Sequence, residues 1–63
     1  MIPGVMRDRL SAIQAELKGL ELEAAGQRAA NVTYIEVGFE LVEAWDSLQR
    51  AAETLDEMAM GVT

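Results

Sequence analysis

The sequence predicts an all-α fold, an antiparallel two-helix hairpin that dimerises into a four-helix bundle. Apolar residues recur every three or four positions along two long segments, which is the pattern of amphipathic helices. Only a short segment separates them, so the helices should be antiparallel neighbours. The 63 residues include no cysteine and no histidine, so disulfides and the usual zinc sites are excluded. We expect a single domain, residues 1–63, that needs oligomerisation or a partner for stability.

The first helix is predicted over residues 5–30. Its apolar residues fall within a stripe of about 80° on a helical wheel, which is typical of a helix that packs at a shallow angle. Arg28 suits the last turn, and Asn31 is a residue that adopts the left-handed conformation at helix ends. The residues of this stripe are the predicted hairpin core on helix 1: Met6, Leu10, Ile13, Leu17, Leu20 and Ala24.

The second helix is predicted over residues 34–60, after a turn at residues 31–33. Thr33 followed by Glu36 has the spacing of a capping box, and Gly61 is suited to end the helix. Apolar residues recur here at heptad spacing for nearly four heptads, which indicates a long helix that packs on a neighbour. The predicted hairpin core on helix 2 consists of Tyr34, Val37, Leu41, Leu48, Ala52 and Leu55.

The first half of the second helix is apolar over a wider arc than one neighbouring helix covers. The arc is about 220° wide there and narrows to about 120° in the second half. A contiguous exposed apolar patch usually marks an interface, so we expect a second copy of the chain, a different protein or a small ligand to cover it. The predicted dimer or partner interface consists of Ile35, Gly38, Phe39, Val42 and Trp45.

The net charge of −6 lies entirely in the second half of the chain. Four basic and four acidic residues balance before residue 33, whereas seven acidic residues and only Arg50 follow. Binding to phosphates or to an anionic membrane surface needs a basic patch, so we expect no direct nucleic acid or membrane partner. A basic protein remains a candidate partner. The predicted acidic face consists of Glu36, Glu40, Glu43, Asp46, Glu53 and Glu57.

The sequence offers no residues suited to catalysis. Glu36, Glu40 and Glu43 share one helix face, but the di-iron bundles that use such spacing also need histidine. The serines and threonines lack a histidine base, and no glycine-rich phosphate loop is present. We therefore expect no catalytic residue, no metal site, no cofactor and no enzymatic activity.

The amino-terminal residues show neither the basic region nor the apolar core of a secretory signal. No apolar run approaches the length of about 20 residues that spans a bilayer. We therefore expect a cytoplasmic location.

These observations favour a small, non-enzymatic protein-interaction module that modulates, chaperones or inhibits a larger partner through an apolar helix face. One alternative is an acidic decoy that mimics nucleic acid and occupies a basic site on a nucleic-acid-binding protein. Another is a carboxylate metal or nucleotide site at a dimer interface. Salt dependence of binding separates the first two hypotheses, because ionic contacts are screened by salt and apolar contacts are not.

Overall fold

The computed structural model describes residues 3–61 and consists of two α-helices that pack on each other. Helix α1 spans Pro3–Gln27 and helix α2 spans Thr33–Ala59. The predicted all-α hairpin is therefore confirmed. The hairpin is elongated and measures 48 × 17 × 13 Å. The two ends of the predicted domain, at residues 1 and 63, lie outside the described residues.

The turn is longer than expected because α1 ends at Gln27 rather than near residue 30. The backbone N–H groups of Ala30 and Asn31 both donate to the Gln27 carbonyl, at 2.9 and 3.2 Å, which tightens the chain after the last helical turn. The prediction that Asn31 takes a left-handed conformation was wrong, since glycine alone has a positive φ among the described residues. Asn31 instead accepts hydrogen bonds from the first two residues of α2.

The start of α2 depends on the side chain of Asn31. Its Oδ1 accepts a hydrogen bond of 2.9 Å from the Thr33 N–H, and its carbonyl accepts one of 3.0 Å from the Tyr34 N–H. Such side-chain bonds to the backbone two residues on are typical of asparagine in turns. The predicted capping box, with Thr33 as the capping residue, was wrong, because the residue that precedes the helix is Val32, which has a helical conformation and makes no capping hydrogen bond.

The end of α2 agrees with the role expected for Gly61. This residue has a φ of +73°, which an L side chain rarely adopts. Its N–H donates to the Met58 carbonyl at 3.1 Å, and the Met60 N–H donates to the Asp56 carbonyl at 3.1 Å. The glycine conformation thus satisfies carbonyls that the helix end would otherwise leave free.

Each helix turns two rows of residues toward the other, and the members of a row are seven positions apart. We call these four rows the seam. Few of its side chains are fully covered: Ala52 is 0% exposed, Ala24 4% and Gln14 7%. The rows of α1 are Leu10, Leu17, Ala24 and Arg7, Gln14, Glu21, and those of α2 are Leu41, Leu48, Leu55 and Gly38, Trp45, Ala52.

One row of the seam is polar, and this changes the predicted core. Gln14 donates from Nε2 to Gln49 Oε1 at 3.0 Å and to the Trp45 carbonyl at 3.4 Å. Arg7 Nε lies 3.2 Å from Asp56 Oδ1. These contacts join the start of α1 to the end of α2, so the helices are antiparallel. They also fix the rotation of α1 about its own axis.

With that rotation, four residues of the predicted core lie beside the seam, while Tyr34 continues the row of Leu41 past the end of α1; all five remain between 39% and 45% exposed. Turning α1 to cover its apolar row instead would withdraw the Gln14 amide from its two acceptors, and an unpaired buried amide is costly. The five displaced core residues are Met6, Ile13, Leu20, Tyr34 and Val37.

We predict that Gln14→Ala destabilises the hairpin more than Arg7→Ala. Removing the buried amide loses two hydrogen bonds and leaves a gap, which should lower the free energy of unfolding by about 1–2 kcal/mol. The Arg7 and Asp56 side chains are 30% and 52% exposed, so losing their ion pair should cost less than about 0.5 kcal/mol. Urea unfolding followed by circular dichroism measures both, and the reverse order would contradict the proposed role of Gln14.

We predict that Gly19→Ala stabilises the chain. Gly19 is exposed within α1, and an added Cβ would meet no atom within 4 Å. Alanine should therefore raise the free energy of unfolding by about 0.5–1 kcal/mol, which is several degrees in Tm for a domain of this size. Gly61→Ala is the matched control, because the positive φ makes alanine strained there and Tm should fall. A fall in Tm for Gly19→Ala would mean that something packs on this outer face.

Candidate functional site

The seam leaves an apolar surface along one flank of the hairpin, which we call the long face. It runs from Met6 to Leu20 on α1 and from Val37 to Met58 on α2, and its larger side chains are 39% to 50% exposed. An open groove of about 680 Å³ lies at its turn end, between Leu20 on α1 and Tyr34 and Val37 on α2. The members of the long face are Met6, Ile13 and Leu20 on α1 and Val37, Ala44, Ala51 and Met58 on α2, and Tyr34 at the turn end lines the grooves on both flanks.

The opposite flank is apolar only near the turn, and we call this shorter surface the turn patch. It consists of Ala25 on α1 and Ile35, Phe39 and Val42 on α2, which line a groove of about 260 Å³. Phe39 is 65% exposed and is the largest side chain of the patch. Large apolar patches on small proteins usually mark sites of protein contact.

Beyond the turn patch, the same flank is polar. Ser11 accepts a hydrogen bond of 2.7 Å from Arg7 Nη1, and Gln49 accepts the bond from Gln14. Lys18 lies over the Trp45 ring, with its Nζ 4.8 Å from the ring centroid. The apolar part of this flank is therefore confined to about two turns of α2.

The predicted interface is divided between the surface and the seam. Ile35, Phe39 and Val42 are exposed, as a docking surface requires. Gly38 and Trp45 instead lie in the seam, where Trp45 contacts Lys18 and its carbonyl contacts Gln14. No atom lies within 4 Å of a Cβ built on Gly38, so the hairpin itself does not need a glycine there.

Sequence reasoning missed the long face because it assigned that row to the hairpin core. One signal was present in the sequence. The row from Arg7 through Gln14 to Glu21 has the same seven-residue spacing as the row from Met6 to Leu20, and the two rows lie on opposite sides of Leu10 and Leu17. Complementary groups on α2, Asp56 and Gln49, stand at matching distances from the turn.

The carboxylates of the acidic face lie exposed on the outer side of α2. Within residues 3–61 the salt bridges are Arg7 to Asp56 and Lys18 to Glu21, so none of the six acidic-face residues is paired there. Arg50, the cation within this face, donates from Nη2 to Ser47 Oγ at 3.3 Å. In the described part of the chain, no three acidic side chains form a group that suits a metal ion.

Glu21 is the acidic residue that the hairpin covers most. Its Oε2 is buried without a hydrogen-bond partner, but Lys18 Nζ lies 3.5 Å away and supplies a compensating charge. Because the same ammonium group contacts the Trp45 ring, Lys18 joins the acid to the aromatic residue of α2. This cluster belongs to the seam and stabilises the hairpin rather than forming a separate site.

Neither α1 nor α2 is long and apolar enough to cross a membrane. Comparisons of the chain with models of protein families, with curated proteins and with solved structures find no match. The two apolar flanks and the charges around them are therefore the surfaces that bear on function.

We predict that Phe39→Asp leaves the hairpin folded, whereas Leu41→Asp unfolds it. Phe39 is exposed on the turn patch, so a carboxylate there stays solvated and helicity should change little. Leu41 is partly covered in the seam, and a charge there would lack a partner, at a cost of several kcal/mol. Far-ultraviolet circular dichroism at equal concentrations measures both variants. Equal loss of helicity would mean that the turn patch is part of the folded core.

Proposed function

We propose that this chain is a non-enzymatic protein-interaction module that forms a homodimeric four-helix bundle and acts on a larger protein partner by contact. One observation carries the proposal. In the described part, Ala24 and Ala52 are the only buried apolar residues, while thirteen large apolar side chains remain exposed. A lone hairpin thus leaves most of its apolar side chains in water, and a partner surface is the usual way to cover them.

The need for stability supports the homodimer. A chain of this length buries too little surface to be more than marginally stable by itself, and cysteine, which would staple it, is absent from the sequence. Pairing two hairpins covers a second face of each helix and about doubles the apolar core per folded unit. Two copies of one chain also supply matching surfaces without a further component.

We assign the larger partner to the turn patch. Ile35, Phe39 and Val42 are spaced so that they form a ridge along two turns of α2, which suits the apolar face of a partner helix. The outer edge of this ridge carries Glu36 and Glu43, and neither is paired within residues 3–61. The partner that fits is an amphipathic helix with apolar anchors and a Lys or Arg edge. The outcome for the partner is modulation, chaperoning or inhibition.

A second candidate function is the acidic decoy. The six unpaired carboxylates of the acidic face give α2 an exposed negative surface, which suits a basic cleft on a nucleic-acid-binding protein. Two observations weaken this alternative. Arg50 interrupts the row of acids, and the balanced charge of the first 32 residues leaves α1 without an acidic surface.

We predict that the solution mass is twice the 6.9 kDa of the chain and stays so at high salt. Apolar pairing should resist screening, because ions weaken contacts between exposed charges far more than contacts between apolar surfaces. Light scattering coupled to size exclusion, at about 0.05 M and about 0.5 M NaCl, measures this mass. A folded monomer at both concentrations would contradict the homodimer.

The partner surface is tested with a synthetic amphipathic helix of leucine and lysine as the probe. Phe39→Asp should weaken its binding at least tenfold, which is about 1.4 kcal/mol, and the wild-type affinity should survive high salt. Glu53→Gln is the matched control, because Glu53 lies on the acidic face away from the patch. Binding that ignores Phe39→Asp but disappears at high salt would favour the decoy instead.

A further inference from the structure

We propose that a second copy of this chain packs on the long face with the two turns at opposite ends of the bundle. This assignment rests on the proposed homodimer and specifies its surface and its symmetry. The turn patch, on the other flank of each hairpin, stays free for the larger partner.

The rotation of α1 favours a second interface on the long face. The hairpin turns Arg7, Gln14 and Glu21 toward α2 and leaves the apolar row on the other side of Leu10 and Leu17 half in water; this row consists of Met6, Ile13 and Leu20. A helix that places a polar row in its first interface gains most from covering the apolar row beside that interface. The long face continues this row onto α2 with Val37 and Met58, which are 39% and 50% exposed.

The size of the long face favours a second copy of the chain as its partner. The long face lies on one of the broad sides of the hairpin, which measure 48 by 17 Å. A side of that size matches the ~800 Å² that each partner contributes to a standard stable interface. The turn patch extends over about two turns of α2 with Ala25 of α1 beside it, and it is too small for that role. A second copy is therefore the occupant that the long face fits, and the patch suits a smaller contact.

The spacing of the long face suits a twofold axis midway between Ile13 and Leu20, although this axis leaves Met6 without an apolar counterpart. Gln14 contacts Gln49 and Lys18 contacts Trp45, so the level midway between Ile13 and Leu20 on α1 is that of residues 46 and 47 on α2. The midpoint between Ala44 and Ala51 lies within about one residue, or 1.5 Å, of the same level.

A twofold axis across the hairpin at this level therefore places each row against its own reversed copy. Leu20 of the second copy then lies beside Ile13, and Met58 of the second copy beside Val37. The alanines of α2 stand at the levels of the larger side chains of α1, so large and small residues alternate across the face, as interdigitated packing requires.

Charge selects this arrangement over a dimer with both turns at one end. The rim of the long face carries Arg9, Glu16 and Glu23 on α1 and, among others, Glu40 and Thr54 on α2. A dimer with both turns at one end would place Glu23 of each copy beside Glu40 of the other copy, which makes two repulsive pairs. A dimer with the turns at opposite ends places Arg9 of each copy beside Glu23 of the other, which makes two attractive pairs. Glu40 then lies beside Thr54 of the other copy, and the two Glu16 side chains meet at the twofold axis as one repulsive pair. Two attractive pairs and one repulsive pair thus replace two repulsive pairs.

The symmetry is tested with spin labels on the whole chain. The sequence lacks cysteine, so Ala30→Cys places one label on the exposed turn of each copy. Turns at opposite ends predict a label separation of about 40–50 Å by pulsed electron resonance, because the helices rise 1.5 Å per residue. A separation near ~20 Å, about two helix diameters, would overturn the opposite-end arrangement while leaving the homodimer intact.

The surface is tested with paired variants. Ile13→Asp should reduce the mass from dimer to monomer, whereas Leu22→Asp and Phe39→Asp on the other flank should leave a dimer. Leu22 is the control on the same helix and is 75% exposed. A dimer that survives Ile13→Asp and is lost in Phe39→Asp would overturn the assignment of the long face. If the Ile13→Asp variant does not fold, the label separation of the Ala30→Cys chain still tests how the two copies are arranged, because that measurement leaves the long face unchanged. A wild-type monomer would refute the proposed homodimer itself.

Discussion

The hydrogen bonds of Gln14 decide how the two helices face each other. Its amide reaches both the Gln49 side chain and the Trp45 carbonyl, and the seam covers Gln14 more fully than any of its leucines. A buried polar group that needs specific partners permits one register and one rotation, whereas leucines tolerate several. From this rotation follow the positions of Arg7 opposite Asp56, of the exposed apolar row on α1, and of both flanks.

Much of the fold was predictable from local patterns. Heptad spacing identified two helices, their short connection made them antiparallel, and α2 begins within one residue of the predicted start. The rotation of α1 was not predictable from hydrophobicity, because the rows that begin at Met6 and Arg7 both adjoin the same leucines. Hydrophobicity favours the first row, and hydrogen bonding across the seam selects the second. The role of Asn31 depended on a side-chain bond that the spacing of residues does not reveal.

The candidate site divides in the same manner. Ile35, Phe39 and Val42 were identified because the apolar arc of α2 is too wide for one neighbour, and they are exposed in the structure. Gly38 and Trp45 share that arc but fall on the side that α1 covers, a distinction that requires the orientation of both helices. Two apolar flanks of different length then suggest two different contacts, one between copies and one with another protein.

The turn also bears on the order in which contacts between the two helices form. Contacts across the seam join residues whose separation along the chain grows steadily with distance from the turn, from 35 positions between Gln14 and Gln49 to 49 between Arg7 and Asp56. Each further contact closes a loop that is only a few residues longer. The added entropic cost of each contact is small, because this cost rises with the logarithm of loop length. We therefore expect the helices to pair from the turn outward, and the end farthest from the turn to fray and exchange its amide hydrogens first.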